Sequence, residues 1–195
     1  MVSKKVRKII DAAIKDVWLS EIRDDYIDGK LIREASLQCS LYHHLRNRLE
    51  SVLEENNLYI YPEFVFRDLH YRADLVIAEM DMDKEEKYLA DCIKDVVAVI
   101  ELKYSDGVSK QAIDYVMSDI NKFKNYISNL SCDFQAYFGV IYEEECSWLY
   151  WADKRRTNTW ANGRLTELNA GYIDDEIRFE VNSHNGMNLK LNKRV

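Results

Sequence analysis

A chain of 195 residues that is 47% hydrophobic, with one proline and six glycines, is long enough to bury a real core as a single compact domain. Its formal charge of -7 and pI near 5.2 exclude recognition of nucleic acid by an overall basic surface. No apolar run is long enough to span a bilayer, the basic start MVSKKVRKII lacks an apolar signal core, and Cys39, Cys92, Cys132 and Cys146 are widely spaced without a CxxC pair. These features point to a soluble cytoplasmic protein with reduced thiols, no zinc site and no membrane partner.

In chain order, Val6, Ile9, Ile10, Ala13, Ile14, Val17 and Trp18 recur at helical spacing, and Asp28-Gly29 ends the pattern. Residues 1–30 therefore read as an N-terminal helical extension. A second helix is expected over residues 32–55, with Leu37, Leu41, Leu45, Leu49 and Val52 on its buried side and Asn56-Asn57 at its end. His43 and His44 are adjacent within it and point in different directions, so they do not share a metal. Residues 59–66 alternate as a strand, Arg67-Asp68-Leu69-His70 makes a turn, and residues 71–77 return antiparallel. Residues 79–95 then carry seven acids against three lysines, a run expected as a solvated loop, as is Glu143-Glu144-Glu145 later.

The continuous apolar run from Val96 to Ile100 marks a strand covered on both faces, and it ends abruptly in Glu101 and Lys103. Residues i and i+2 of a strand project alike, so these two charges share a face while Leu102 turns into the core. Asp74 stands just before Leu75-Val76-Ile77, again a charge against a buried strand half. Such ionisable groups are costly unless they pair or bind a cation, and two acids with a lysine suit Mg2+, a hard ion that prefers oxygen ligands. The plain alternative is a surface ion pair between Glu101 and Lys103 beside a solvated Asp74.

After Lys103, Asp106-Gly107 reads as a turn, Ser109 as a helix cap, and Ile113, Val116, Met117, Ile120, Phe123 and Ile127 as the apolar stripe of a helix with Lys110 and Lys122 on its exposed side. Residues 134–142 make a further strand and 148–151 another. Asn162-Gly163 signals a tight hairpin, and residues 177–181 alternate. Residues 31–142 thus form the core and 143–195 a β-rich C-terminal part. Trp148, Tyr150, Trp151 and Trp160 interleave with Lys154, Arg155, Arg156 and Arg164, either as core aromatics or as a stacking platform beside a phosphate track.

Asp74 on one strand and Glu101-Leu102-Lys103 on the next, between a preceding and a following helix, resemble the PD-(D/E)XK nuclease superfamily. Ala73 stands where the proline of that name would be, and the excursion between the two strands is long. The resemblance covers residues 34–142 and implies an α/β restriction-endonuclease-like fold, a mixed central sheet flanked by helices. It implies a Mg2+-dependent phosphodiesterase acting on DNA or RNA, with Mn2+ able to substitute. Asp74, Glu101 and the Leu102 carbonyl would hold the ion, and Lys103 would orient water or stabilise charge at phosphorus. Members often add a glutamate from the preceding helix, which makes Glu34 a third candidate carboxylate, although a first-turn glutamate also suits the helix dipole. Glu63 is open between this cluster and a cross-strand pairing with Arg72. Gln111 and Tyr115 resemble the QxxxY pair of RecB-type nucleases, or they are ordinary residues of the helix face opposite the stripe. A nuclease-like module without catalysis, a homodimer, or a protein-interaction role remain open alternatives.

Overall fold

The apolar periodicities of the sequence resolve into a six-stranded sheet flanked by helices. A computed structural model describes residues 1–105, 110–130, 132–152 and 154–184; the side chains at 68, 110–113, 115, 116, 154–156 and 158 lie outside that description. The strands are hydrogen-bonded in the order β1-β2-β3-β4-β5-β6. β1 to β3 are antiparallel, β4 and β5 are parallel, and β6 is antiparallel to β5, so the sheet is mixed. The chain divides into two compact units, Met1–Ile100 with Ser131–Gln135, and Glu101–Leu130 with Ala136–Val195.

The first unit begins with α1 (Lys4–Val17), a π-helical turn over Trp18–Ile22 and the short α2 (Arg23–Ile27). Ile10, Ile14, Val17, Trp18 and Ile22 are buried on one side, and the helix run stops where Gly29 takes a φ of +71°, a value glycine adopts without penalty. α3 (Glu34–Glu55) starts under a side-chain cap, with Ser36 Oγ accepting from the Ile32 and Arg33 amides at 3.0 and 3.1 Å. Leu37, Leu41, Leu45 and Leu49 are buried as expected, but Leu53 continues the stripe and Val52 is only half-buried. A strict spacing of four runs ahead of the 3.6-residue turn, so the apolar stripe winds around the helix as it packs on α1, β1 and β2.

β1 (Leu58–Phe66) and β2 (Tyr71–Met80) form the expected antiparallel pair, joined by a 3-10 turn that ends at His70 with φ +54°. β3 (Ile93–Ser105) continues it, with Leu75 registered against Ile100. The two ends of the acidic run are not free in solvent: Glu79 pairs with Lys94 at 2.7 Å, and Asp95 pairs with Arg7 at 2.6 Å. These carboxylates occupy strand positions rather than a loop, and each gains a cation from a neighbouring element.

In the second unit, α4 (Lys110–Asn129) buries Ile120, Phe123, Tyr126 and Ile127, whereas Met117, expected on that stripe, is 44% exposed. The stripe is confined to the helix's C-terminal half among the described side chains, and Ile113 and Val116 lie outside them. Asp106, Gly107 and Ser109, read as turn and cap, also lie outside the described residues. β4 (Gln135–Glu145) is longer than expected, taking in Glu143, Glu144 and Glu145, which were expected in a loop. Two further expectations fail here. Residues 148–151 are not a strand, and Asn162-Gly163 closes no hairpin, because residues 154–161 form α5 (Lys154–Ala161) ahead of β5 (Leu165–Ile173).

β5 runs parallel to β4, and parallel neighbours cannot be joined by a two-residue turn; α5 lies in the longer connection that this pairing demands. Asn162 and Gly163 do take positive φ, +50° and +77°, but they use it to end α5. The tight hairpin is instead Asp174-Asp175, with φ +55° and +62°, between β5 and β6 (Glu176–Ser183). No helix among the described residues is long and apolar enough to cross a membrane.

Asp25 at the end of the helical N-terminus is held by Ser40 Oγ at 2.6 Å, Lys30 Nζ at 2.9 Å and His44 Nε2 at 2.9 Å. Burial raises its pKa, but the hydrogen bonds from Ser40, Lys30 and His44 outweigh burial and hold the carboxyl well below the ordinary range. A depressed carboxyl stabilises the fold fully above the unfolded value of about 3.9, and that contribution is lost as pH falls through the lower folded value. Asp25→Asn should therefore cost about 2 kcal/mol at neutral pH and almost nothing in strong acid, read from urea melts across pH. An equal loss at every pH would mean that the charge of Asp25 plays no part.

Candidate active site

The sequence-predicted residues divide between the two units. In the first, Asp74 is half-buried on β2 between Ala73 and Leu75, both fully covered. Its backbone carbonyl accepts from Gln38 Nε2 of α3 at 2.7 Å, and the same amide donates to Glu63 Oε1 at 2.9 Å. Glu63 Oε2 pairs with Arg72 Nε at 2.8 Å, so of its two readings the cross-strand pairing is the one observed. Glu63 has φ +54° inside β1, yet Pro62 and Phe64 keep register with Leu75 and Ala73 on either side. Gln38 and Arg72 thus clasp a locally strained strand beside Asp74. Glu34 is the first residue of α3 and is half-buried there. His44 turns to Asp25 and His43 to Asn47, in the separate directions expected.

In the second unit, β3 closes with Glu101 at 1% exposure and Leu102 at 0%. A carboxylate this deep requires donors, and it has them. Tyr126 Oη donates to Glu101 Oε1 at 2.9 Å, and Lys122 Nζ lies 3.5 Å from Oε2. Lys103 reaches across to α4: its Nζ lies 3.1 Å from Asp119 Oδ2, while Lys122 Nζ is 2.6 Å from Asp119 Oδ1. Asp119 is 2% exposed. Two buried carboxylates and two partly exposed ammonium groups therefore form one chain of opposite charges from β3 to α4. Lys122 was expected on an exposed helix face, but with its side chain at 32% exposure it is drawn inward by these two acids. Burial lowers its pKa, and the charges of Glu101 and Asp119 outweigh burial and raise it.

Asp119, Lys122 and Tyr126 were absent from the sequence-based site, as was Gln38. Their spacing of i, i+3 and i+7 places the three helix residues on one face, and that face could have been matched to a buried Glu101. Gln111 and Tyr115 belong to α4, and Lys154, Arg155 and Arg156 to α5, but their side chains lie outside the described residues. The aromatics of the supposed platform separate: Trp148, Tyr150 and Trp151 occupy the irregular segment after β4, and Trp160 lies on α5, where Lys124 Nζ stands 5.7 Å from its ring centre.

Chemically, Glu101 and the Leu102 carbonyl offer hard oxygen ligands of the kind Mg2+ takes. Lys122 Nζ sits 3.5 Å from Glu101 Oε2, longer than a tight charge-assisted hydrogen bond of about 2.8 Å. Among the described residues, no group of three or more His, Cys, Asp and Glu side chains is already placed to hold a metal.

Removing Lys122 should leave both acids short of positive charge. Lys122→Met is expected to destabilise the fold by on the order of 2 kcal/mol, less than the roughly 3–5 kcal/mol of a fully enclosed pair because water reaches the lysine. The raised lysine pKa means this contribution is complete below about pH 10 and fades as pH rises through the folded value. Chemical denaturation of both proteins at neutral and strongly alkaline pH measures it; an undiminished difference at high pH would contradict the charge argument.

Compared with known proteins, no family model, no curated protein and no solved structure matches this chain.

Proposed function

We propose that the chain is a Mg2+-dependent nuclease of the PD-(D/E)XK type, built on a restriction-endonuclease-like version of the mixed α/β sheet. The observation that carries this reading is Glu101, a 1%-exposed carboxylate placed directly after the buried run Val96–Ile100 and two residues before Lys103. A carboxylate at that depth is costly to bury, and a role in chemistry is one reason for a strand to end in one. In the proposed site Asp74, Glu101 and the Leu102 carbonyl hold the ion, with Glu34 as a further carboxylate from α3. Bound there, Mg2+ or Mn2+ would polarise the scissile phosphate and lower the pKa of a bound water.

The chain's own side chains do the rest. Tyr126 Oη donates to one Glu101 oxygen at 2.9 Å and so orients the carboxylate. Asp119 holds the Lys103 ammonium at 3.1 Å, so the lysine meets the phosphate as a positioned charge and stabilises the pentavalent oxygens. In this reading, Lys154, Arg155 and Arg156 of α5, with Gln111 and Tyr115 of α4, contact the DNA or RNA. A local positive field governs such a groove despite the chain's net charge of -7.

One observation favours a second reading, a nuclease-like module that binds without cleaving. Glu101 and Asp119 are already neutralised by Lys103 and Lys122, so the charges hold together without a metal.

Cleavage of single- and double-stranded DNA and RNA, with Mg2+ or Mn2+ and with chelator, separates the two. Metal-dependent cleavage that falls by about 10^2 or more in Glu101→Gln and in Lys103→Ala supports the enzyme. Binding without cleavage of any substrate supports the silent module, and full activity in either folded variant would remove that residue from the mechanism.

Metal binding can be read without a substrate. Mg2+ at tenfold excess over its Kd should stabilise the wild type by about 1.4 kcal/mol and Glu101→Gln by far less. Identical thermal shifts in the two proteins would place any bound metal elsewhere.

A further inference from the structure

A cavity of about 610 Å3 opens in the second unit, between the end of β4 and the β5–β6 hairpin. This falls within the size range of small-molecule sites, roughly 300–1,000 Å3. Its walls are aromatic and acidic: Tyr142, Trp148 and Trp151 line it together with Glu145, Asp174 and Cys146, and no lysine, arginine or histidine is among its described lining residues. Tyr142 and Trp151 meet edge to face with ring centres 5.5 Å apart. Trp148 is 57% exposed, a large ring that the fold leaves in water at the cavity mouth.

The walls are fixed by the protein rather than shaped by a ligand. Glu145 Oε1 accepts from the Asp174 amide at 2.8 Å and Oε2 from the Asp175 amide at 3.3 Å, which ties β4 to the hairpin. A carboxylate has about four lone-pair sites, and these contacts use two of those on Glu145. The floor segment is equally restrained. The Trp151 and Ala152 amides donate to buried Glu167, and Asn169 and Asn182 both donate to the Leu149 carbonyl at 2.9 Å. Gly171 lets this segment approach, since a Cβ there would lie 2.8 Å from Leu149 Cδ2 and 3.2 Å from the Tyr142 carbonyl oxygen.

Aromatic faces carry negative quadrupole potential and attract cations that shed water easily. A carboxylate beside them adds a full negative charge, and here Glu145 lines one side and Asp174 the other. Arg178 lies 3.6 Å from Asp174, an exposed pair of little strength. A phosphate would be repelled from such a place, and a neutral apolar ligand would make no use of the acids. We infer that the cavity bounded by Tyr142, Trp148, Trp151, Glu145 and Asp174 binds an organic cation of the alkylammonium class. This inference is independent of the nuclease reading, because no residue of this cavity belongs to the proposed metal site.

Choline and its neutral isostere 3,3-dimethylbutan-1-ol, titrated calorimetrically into the full chain, test it directly. Choline should bind saturably and roughly two- to fivefold more tightly than the alcohol, the scale of a cation on partly exposed aromatic rings. Trp148→Ala should lose most of that preference, and Asp174→Asn, whose side chain is exposed and whose replacement tolerates the same positive φ, should weaken choline without affecting the alcohol. Circular dichroism confirms that both variants fold. No saturable choline binding, or equal affinity for the alcohol, overturns the inference. Preferential binding of the nucleosides cytidine or adenosine would overturn it too, making the cavity a base-stacking site.

Discussion

Buried charge is the constraint on which the second unit depends. Glu101 and Asp119 are 1% and 2% exposed, and a carboxylate cannot be kept ionised at that depth without cations and hydrogen bonds to replace its water. Lys103 from the strand and Lys122 from the helix supply the charge, and Tyr126 supplies a hydroxyl. The end of β3 is therefore tied to α4 by polar contacts. The network also holds the Lys103 ammonium against Asp119.

The same logic explains the irregular segment after β4. A stretch without strand partners must satisfy its amides and carbonyls some other way. Glu167, buried at 0% on β5, accepts from the Trp151 and Ala152 amides and pairs with buried His184. Asn169 and Asn182 take the Leu149 carbonyl from β5 and β6. Three polar side chains on two strands thus do for this segment what a neighbouring strand would do, and they free Trp148 and Tyr150 to face outward. In the first unit Gln38 plays a similar part at smaller scale, joining α3 to both strands of the hairpin around Asp74.

Much of the fold was legible in the residues. The Leu stripe of α3, the hairpin of β1 and β2, and the buried run ending at Glu101 all came from periodicity, because burial on one face imposes a period of 3.6 or 2 whatever the partner. The errors share a cause. Asn162-Gly163 has the backbone of a hairpin turn, but the pairing of β5 with β4 is parallel, and no local signal states which neighbour a strand will choose. The aromatic run 148–151 resembles a strand by composition, yet its backbone is claimed by side chains distant in sequence.

By itself, then, the sequence determined where charge interrupts apolar strands: Asp74, Glu101 and Lys103 stand out because a core position tolerates them only at a cost. The tertiary structure alone decided what answers each charge. Asp119, Lys122 and Tyr126 look like ordinary helix residues until α4 is laid against β3, and Glu145 and Asp174 are two acids among many until the hairpin brings them beside Trp148 and Trp151. A residue's own chemistry is written in its side chain, whereas its partner is set by long-range packing, which brings together positions that no local period relates.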